Sequence, residues 1–317
     1  MQTRRLGRTD LNLTTLGLGA WAIGGAGWKF CWGPQDDQDS IRTIHKALDV
    51  GINWIDTAAV YGLGHSEVVV GQALKQRQDR PIIATKCGRS WDDQGVPFPL
   101  LKADTIRTEI ENSLRRLGVE TIDLYQMHWP QPEEDIEEAW QVMADAVKAG
   151  KIRWIGVCNY NVEQLRRIEP IHPVASMQPP YSLIVRGAEE SLFTYAADQN
   201  IGVVVYSPMQ KGMLTNKFTR EFVNSLPEDD HRRRFDPNFA EPKLTVHLQR
   251  IENLRSIADR LGRTVSDLAL AWTLRKPVVT SAIVGARRPE QIEQTAPAGD
   301  LSLTPEVCAE IEAIFAA

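Results

Sequence analysis

Short apolar runs alternate with helical patterns along most of the chain. After residue 15, eight runs have the length and composition of β-strands, and several are apolar nearly throughout. Strands that are buried on both faces have this character, as in the parallel sheets of α/β proteins. The predicted strands cover residues 16–20, 52–56, 81–86, 122–128, 153–158, 174–178, 201–206 and 279–284.

The segments between these runs have apolar residues three and four positions apart, which predicts amphipathic helices. Glycines at positions 51, 118, 150 and 262 end four of them, and Thr304 with Pro305 begins the last. The predicted helices cover residues 41–48, 106–117, 136–147, 162–168, 191–197, 254–261 and 268–274, with two more beginning near 66 and at 305.

Eight strands that each precede a helix predict an α/β fold, a closed (β/α)8 TIM barrel formed by residues 1–317 as a single domain. An open doubly wound sheet is the alternative. Residues 2–13 are predicted to form a short N-terminal β-hairpin around Gly7–Asp10 that plugs one barrel end. Residues 217–245, with three prolines and many charges, predict a long irregular insertion before the penultimate helix. Loops of that length are usually functional or disordered.

Composition restricts the class of protein. With 317 residues, of which 43% are hydrophobic, the chain can build a large core, and its net charge of −5 argues against a general nucleic-acid binder. Four scattered cysteines give no disulfide framework. No apolar run approaches the roughly 18 residues of a transmembrane helix, and no secretory signal is visible. We therefore expect a cytoplasmic protein that does not bind membranes.

A glycine-rich stretch near the N-terminus imitates a dinucleotide-binding fingerprint. Residues 17–22 match the pattern G-x-G-x-x-A. That fingerprint functions only where it opens a helix within a strand–helix–strand unit. Here glycines and tryptophans follow, which indicates a loop, so we reject the fingerprint and interpret residues 16–20 as a barrel strand.

Polar groups stand at the carboxyl ends of the predicted strands, where the active sites of α/β barrels lie. Ionisable or amide groups occur at seven of the eight ends. Each has a structural explanation: Asp56 could cap a loop, Lys86 could extend along the surface, His128 could be buried and satisfied, and Tyr61 could pack on a loop. Together they predict one pocket that four titratable groups share. The strand-end residues are Asp56 with Tyr61 in its loop, Lys86, His128, Cys158 with Asn159, Gln178, Tyr206 with Ser207, and Gly285 with Arg287.

Several motifs of the chain occur in the order found in one enzyme family. They are DTAAVYGLGHSEVVVGQAL, IIATK, DLYQMHWP, SMQPPYS, VVVYSPM and AIVGARRPEQIEQ. With these motifs the chain resembles the aldo-keto reductase superfamily over nearly its whole length. It is most similar to a bacterial branch of general aldehyde reductases that includes stress-linked and sugar-linked enzymes. The resemblance implies a barrel enzyme that reduces carbonyl compounds with NADPH.

The resemblance also implies a role for each group of the predicted pocket. Tyr61 would be the general acid that protonates the carbonyl oxygen after hydride transfer. A nearby ammonium, that of Lys86, would lower the pKa of Tyr61 from about 10, and Asp56 would hold Lys86 in place. His128 would hydrogen-bond to the carbonyl oxygen and orient it.

The residues expected to bind NADPH follow from the same resemblance. Asn159 and Gln178 would hold the nicotinamide carboxamide, and Tyr206 would stack on the ring. Arg287 suits a 2′-phosphate because its guanidinium offers paired donors, although it could belong to a solvated loop. Gln294 and Thr295 depart from the family pattern, which leaves the adenine contacts in doubt. The further expected cofactor contacts are Ala20, Trp21, Ser207, Pro208, Met209, Lys211, Gly212, Gly285 and Gln291.

Aromatic residues of the mouth loops predict an apolar funnel for a small-molecule carbonyl substrate, which would accept varied aldehydes. Two other functions stay open: an NADPH-binding regulatory barrel with slow turnover, and a lyase that forms a Schiff base at Lys86. The substrate, the favoured direction and the oligomeric state do not follow from the sequence. The candidate pocket residues are Trp21, Phe30, Trp32, Trp91 and Trp129.

Overall fold

The fold is built from parallel strands and helices that alternate along the chain. The computed structural model describes residues 1–228 and 230–316. Its strands are β1 (Thr3–Arg5), β2 (Asn12–Thr14), β3 (Leu16–Gly19), β4 (Trp54–Asp56), β5 (Ile82–Cys87), β6 (Arg89–Trp91), β7 (Pro97–Pro99), β8 (Ile122–Met127), β9 (Ile152–Cys158), β10 (Ser176–Gln178), β11 (Gly202–Val205) and β12 (Val279–Gly285).

Helices connect these strands over the same part of the chain. Local side chains begin several of them; for example, Asn161 and Gln164 form a capping box at the first turn of one helix. The helices are α1 (Asp37–Asp49), α2 (His65–Lys75), α3 (Ala103–Leu117), α4 (Ile136–Lys148), α5 (Val162–Ile168), α6 (Leu192–Asp198), α7 (Arg220–Asn224), α8 (His231–Phe235), α9 (Lys243–Arg260), α10 (Val265–Leu274), α11 (Pro289–Thr295) and α12 (Pro305–Ala316).

Eight of the strands close into a barrel in the order β3-β4-β5-β8-β9-β10-β11-β12. The last strand pairs with the first in parallel, with Val284 opposite Leu18. The predicted (β/α)8 barrel is therefore confirmed, and the alternative of an open sheet is wrong. Because all eight strands run in parallel, their carboxyl ends meet at one mouth.

The predicted N-terminal hairpin is present and closes the opposite end of the barrel. Strands β1 and β2 pair in an antiparallel manner. The hairpin buries Leu6, Leu11 and Leu13 against side chains of the barrel interior, among them Trp54 and Val204. Since these leucines are no more than 2% exposed, the hairpin continues the core instead of resting on its surface.

The insertion at residues 217–245 is more regular than predicted. It contains α7, α8 and the beginning of α9. Thr219 and Asp230 cap the two short helices by accepting hydrogen bonds from backbone N–H groups. Helices of five residues are too short for an apolar periodicity to develop, so the expectation of irregular structure was wrong. The sequence also did not predict the β6–β7 hairpin, whose strands have three residues each, or α11.

Within the described ranges, no helix is both long enough and apolar enough to cross a bilayer.

Truncation of Leu6 to alanine should destabilise the protein, because it leaves a cavity between the hairpin and the barrel interior. We expect the free energy of unfolding in urea to fall by about 2–5 kcal/mol for Leu6→Ala. Leu261→Ala is the matched control, since Leu261 is 39% exposed and its truncation should change stability by no more than about 0.5 kcal/mol. Equal effects of the two substitutions would contradict a structural role for the plug.

Candidate active site

A buried lysine joins two of the predicted site residues at the mouth of the barrel. Lys86 lies on β5 and is 1% exposed. Its Nζ donates to Asp56 Oδ1 at 2.5 Å, to the Thr57 carbonyl oxygen at 2.9 Å and to Tyr61 Oη at 3.2 Å. Three acceptors match the three N–H groups of an ammonium, so this buried charge is fully hydrogen-bonded.

Backbone contact between two loops fixes the position of Tyr61. Gly62 has a φ of +60°, in the left-handed region, and a Cβ at this position would lie 2.2 Å from the Gly24 carbonyl oxygen. Only glycine permits this approach. The loop after β4 can therefore pack directly on the loop after β3, which directs the phenol of Tyr61 inward.

The second carboxylate oxygen of Asp56 is also engaged inside the barrel. Gln178 Nε2 donates to Asp56 Oδ2 at 2.9 Å, and Gln126 Nε2 lies at 3.5 Å from the same atom. Gln178, predicted to hold the cofactor, thus also holds Asp56. Gln126 was not predicted as a site residue, although an amide within a fully buried strand, β8, was a usable signal.

Burial has a larger effect on the pKa of Tyr61 than the charge of Lys86, so the expected lowering of that pKa is wrong. Burial raises the pKa of Tyr61 to about 12, although the charge of Lys86 opposes that shift. Burial alone would lower the pKa of Lys86, but the neighbouring charge of Asp56 outweighs it and raises that pKa above its ordinary value. At neutral pH the site therefore contains a protonated phenol beside a protonated amine.

His128 completes the group of four titratable residues. Its ring meets that of Tyr61 edge to face, with the centroids 5.7 Å apart. Burial, reinforced by the positive charges of Lys86 and Arg89, lowers the pKa of His128 well below its ordinary value. The imidazole is therefore neutral at pH 7 and can present one N–H donor to a ligand.

The predicted cofactor residues near the centre form one connected group. Asn159 follows β9 with a φ of +62°; its amide donates to the His128 carbonyl oxygen at 3.0 Å and accepts from Tyr206 Oη at 2.9 Å. Ser207 and Lys211 also have positive φ angles, of 56° each. Non-glycine residues in the left-handed conformation cluster at ligand sites. The side-chain amides of Asn159 and Gln178 can pair with a carboxamide, so the group fits a nicotinamide cofactor.

The remaining predicted cofactor residues lie along the mouth. Pro208, Met209 and Gly212 share the loop after β11 with Lys211, and Ala20 follows β3. Lys211 Nζ donates to Asp236 of the insertion at 2.9 Å. A Cβ built at Gly285 would meet no atom within 4 Å, so the end of β12 leaves free space.

Arg287 contacts a loop that the sequence did not connect with it. Its Nε donates to Gln35 Oε1 at 2.8 Å, and its two terminal nitrogens donate to the carbonyl oxygens of Trp32 and Pro34. Gln291 Oε1 accepts from the Arg287 backbone N–H at 2.7 Å. A bound phosphate would therefore compete with this loop for the guanidinium of Arg287.

Aromatic rings cover Tyr61, which is 6% exposed. Trp21 stacks on Tyr61 with the centroids 5.4 Å apart, and the ring of Trp32 lies 6.4 Å from that of Trp21. Trp91 lies on β6, and Arg89 lies 5.5 Å from the ring of Trp129. Phe30 was predicted as part of this cover, whereas three further members, Trp28, His231 and Phe235, were not.

A second buried carboxyl group lies behind the site. Glu109 of α3 accepts a hydrogen bond from the Gly88 backbone N–H at 2.7 Å, just after Lys86 on β5. Its other oxygen has no hydrogen-bond partner, and neither have the nearby hydroxyls of Ser113 and Tyr125. Burial raises the pKa of Glu109 to about 7. The carboxyl therefore supports the end of β5 and changes charge near neutral pH.

Comparison with known proteins agrees with this geometry. The sequence pattern of the aldo/keto reductase family matches residues 15–316. Aldo-keto reductase YhdN of Bacillus subtilis (strain 168) is 41% identical over 296 residues, which are 92% of this chain and 87% of that protein. The chain belongs to the aldo/keto reductase family, whose members are oxidoreductases that use a nicotinamide cofactor.

Two further relatives are named for specific activities. The NADH-specific methylglyoxal reductase of Escherichia coli (strain K12) is 35% identical over 313 residues, 94% of each chain. The glycerol dehydrogenase AKR11B4 from Gluconobacter oxydans has a solved structure that superposes with a TM-score of 0.90 at 39% identity, over 99% of this chain and 95% of that one. The names of these two relatives thus give opposite reaction directions, and one of them specifies NADH.

Replacement of Glu109 by glutamine should remove one pH-dependent component of stability. The folded state binds the Glu109 proton more tightly than the unfolded state, because its pKa rises from 4.5 to about 7. Between these values the free energy of unfolding falls as pH rises, by up to about 1.4 kcal/mol per pH unit. Urea unfolding from pH 4 to 8 should show this fall in the wild type and lack it in Glu109→Gln.

Glu111→Gln is the control for this substitution. Glu111 lies on the same helix, and its side chain is 56% exposed. Its replacement should leave the fall between pH 4.5 and 7 intact. If the free energy of unfolding of Glu109→Gln showed the same pH dependence as that of the wild type, titration of Glu109 would not be its cause.

Proposed function

We propose that this protein reduces aldehydes, and related ketones or sugar-derived carbonyl compounds, to alcohols with NADPH, with Tyr61 as the general acid. The observation that carries the proposal is the hydrogen-bonded set in which Lys86 Nζ joins Asp56 to Tyr61. The whole chain, residues 1–317, would act as one barrel unit.

Each residue of the set has a part in proton transfer. A reduced nicotinamide, when bound, supplies the hydride for the carbonyl carbon. The carbonyl oxygen then gains negative charge, and Tyr61 donates its proton to that oxygen. Lys86 stabilises the phenolate that remains, which compensates for the high pKa imposed by burial. Asp56, held by Gln178, keeps the Lys86 ammonium in position.

His128 would orient the substrate and not transfer the proton itself. Its pKa is too low for the imidazole to be protonated at neutral pH, so His128 has no imidazolium proton to transfer. A neutral imidazole can still donate one hydrogen bond to the carbonyl oxygen as charge develops there. The neutral state of His128 also avoids a further positive charge beside Lys86.

The substrate would be a small-molecule carbonyl compound. The rings that cover Tyr61 give the site an apolar lining. A relative named for methylglyoxal and a structural neighbour named for glycerol support small, oxygen-rich compounds. A reductase and a dehydrogenase run the same chemistry in opposite directions, so both names fit one site.

NADPH is the preferred cofactor in this proposal because Arg287 can offer paired donors to a 2′-phosphate. NADH is the second candidate, and it is favoured by the relative of Escherichia coli that is specific for NADH. The contacts of Arg287 with the loop at residues 32–35 would have to be exchanged for contacts with phosphate.

Removal of the Tyr61 hydroxyl should abolish most of the activity. We expect Tyr61→Phe to lower kcat for aldehyde reduction by about 10²–10⁴-fold, since the general acid is lost. Cofactor affinity, measured by fluorescence titration, should change little. Tyr195→Phe on α6 is the control, because it removes a phenol far from the mouth.

Two outcomes of the Tyr61 experiment would redirect the proposal. Wild-type turnover in Tyr61→Phe would exclude Tyr61 as the acid. Tight binding of NADPH by a wild type that turns over no aldehyde from a short, aromatic and sugar-derived panel would favour the regulatory barrel.

Arg287→Ala should weaken NADPH selectively. Loss of charge-assisted hydrogen bonds to a 2′-phosphate should raise the Kd for NADPH by about 10–100-fold and leave that for NADH nearly unchanged. The exposed Arg263 supplies the control Arg263→Ala, which removes the same charge from the loop between α9 and α10. Equal weakening of both cofactors would show that Arg287 acts through the 32–35 loop alone.

A further inference from the structure

A positively charged side chain lies beside His128 at the mouth of the barrel. Arg89 is the first residue of β6 and follows Lys86 by three positions. Its guanidinium carbon lies 5.5 Å from the centre of the Trp129 ring, and one terminal nitrogen donates to Gln131 Oε1 at 3.2 Å. Both partners belong to the loop that begins at His128, so the Arg89 side chain crosses from β6 to this loop.

The same loop holds the residue that would orient the substrate. The ring of His128 lies 5.7 Å from that of Tyr61, and its backbone N–H donates to the Cys87 carbonyl oxygen at 3.0 Å. Burial has the largest effect in lowering the pKa of His128, and the charges of Lys86 and Arg89 lower it further. Charges in salt solution act over about 10 Å. A substrate whose carbonyl oxygen contacts Tyr61 and His128 can therefore extend to Arg89 with a chain of a few carbon atoms.

Unlike three other cations of the mouth, Arg89 has no acidic partner among the described residues. Lys86, Lys211 and Arg232 each form an ion pair with an aspartate. In the part of the chain that the structure describes, Arg89 forms no ion pair, and its one side-chain hydrogen bond goes to a neutral amide. Arg287 likewise has neutral oxygens as its partners, and a cofactor phosphate is proposed there. By the same reasoning, the partner of Arg89 is an anion that the chain itself does not supply.

The state of the Arg89 guanidinium favours an anion. Burial lowers the pKa of Arg89 below its ordinary value, yet the group stays protonated at neutral pH. A partly buried charge without a counter-ion raises the free energy of the folded protein. Gln131 takes only one of the N–H donors of the guanidinium. The remaining donors can bind two oxygens of a carboxylate or a phosphate in parallel, and these charge-assisted hydrogen bonds are stronger than those to a neutral group.

Backbone contacts fix the base of the Arg89 side chain. Arg89 pairs with Pro99 across the β6–β7 hairpin. One residue earlier, the Gly88 N–H donates to Glu109 at 2.7 Å, and the Gly88 carbonyl oxygen accepts from the Leu100 N–H at 3.3 Å. The guanidinium therefore extends from a rigid position, which preorganises it for a ligand.

We propose that Arg89 binds an oxyanion group of the substrate, a carboxylate or a phosphate, while the carbonyl oxygen of the same molecule lies at Tyr61 and His128. The preferred substrate class is then small aldehydes that carry an anionic group a few carbon atoms from the carbonyl carbon. This inference rests on the proposed carbonyl reduction at Tyr61 and specifies which carbonyl compounds are favoured.

The test compares charged aldehydes with their neutral counterparts. Succinate semialdehyde, glutarate semialdehyde and adipate semialdehyde are each paired with their methyl esters, and glyceraldehyde phosphate is paired with glyceraldehyde. The measured quantity is the ratio of kcat/KM for the charged compound to that for its neutral counterpart, with NADPH. We expect Arg89→Gln, which removes the charge and keeps a polar group, to lower this ratio by about 10–100-fold for at least one pair, because charge-assisted hydrogen bonds are lost. The pair with the largest loss identifies the anion and the chain length.

Two further variants are controls. Arg89→Lys keeps the charge without the paired donors and should retain part of the ratio. Arg80→Gln removes the same charge at the opposite barrel end, where Arg80 donates to the Thr121 carbonyl oxygen at 2.8 Å, and it should leave the ratio unchanged. Added sodium chloride should lower the ratio in the wild type and have little effect on it in Arg89→Gln. An unchanged ratio in Arg89→Gln for every pair would overturn the proposal, whether or not the rates themselves fall.

A binding measurement separates this inference from the proposed function. If no aldehyde of the panel is reduced, the proposed function fails. Glutarate and glycerol phosphate carry the anionic groups but no aldehyde. Their binding can be followed by quenching of tryptophan fluorescence, since Arg89→Gln keeps every tryptophan. A Kd raised about tenfold or more in Arg89→Gln for either compound supports the anion site, and an equal Kd in wild type and variant for both compounds overturns it.

Discussion

The structure depends on one buried positive charge. An ammonium group that is 1% exposed would destabilise the fold severely if any of its N–H groups lacked an acceptor. Asp56, the Thr57 carbonyl oxygen and Tyr61 take all three. Asp56 is in turn held by Gln178 from β10. This network joins strands that are not neighbours in the barrel order, so it forms only when the barrel is closed.

The cover over the mouth determines how this charge acts. Rings from the loop after β3 and from α8 keep water away from Tyr61, and the pKa of its phenol rises to about 12 although a lysine lies in contact. Proximity to a positive charge is therefore not sufficient to lower a pKa in a buried site. The ammonium of Lys86 instead offsets part of the free-energy cost of a buried phenolate. It does so next to the position where a carbonyl oxygen would gain negative charge.

Sequence patterns predicted the barrel well because its strands are buried on both faces and its longer helices have a clear apolar stripe. They predicted Asp56, Tyr61, Lys86 and His128 as neighbours, since strand ends of a parallel barrel converge. They failed for α7 and α8, whose five residues are too few to show a period. Gln126 was missed because a single amide does not change the interpretation of β8 as a buried structural strand. His231 was missed because no local sequence pattern connects it with Trp21.

The order of apolar and polar residues along this chain was enough to determine the architecture and the chemical groups at the mouth. Both depend on local periodicity and on the rule that parallel strands share one edge. Tertiary structure alone decided the direction of the Tyr61 pKa shift, the engagement of Arg287 by the 32–35 loop and the contact of α8 with the aromatic cover. These features arise from burial and from contacts between residues up to about 250 positions apart, and the free energy of such contacts depends on which groups exclude water from one another.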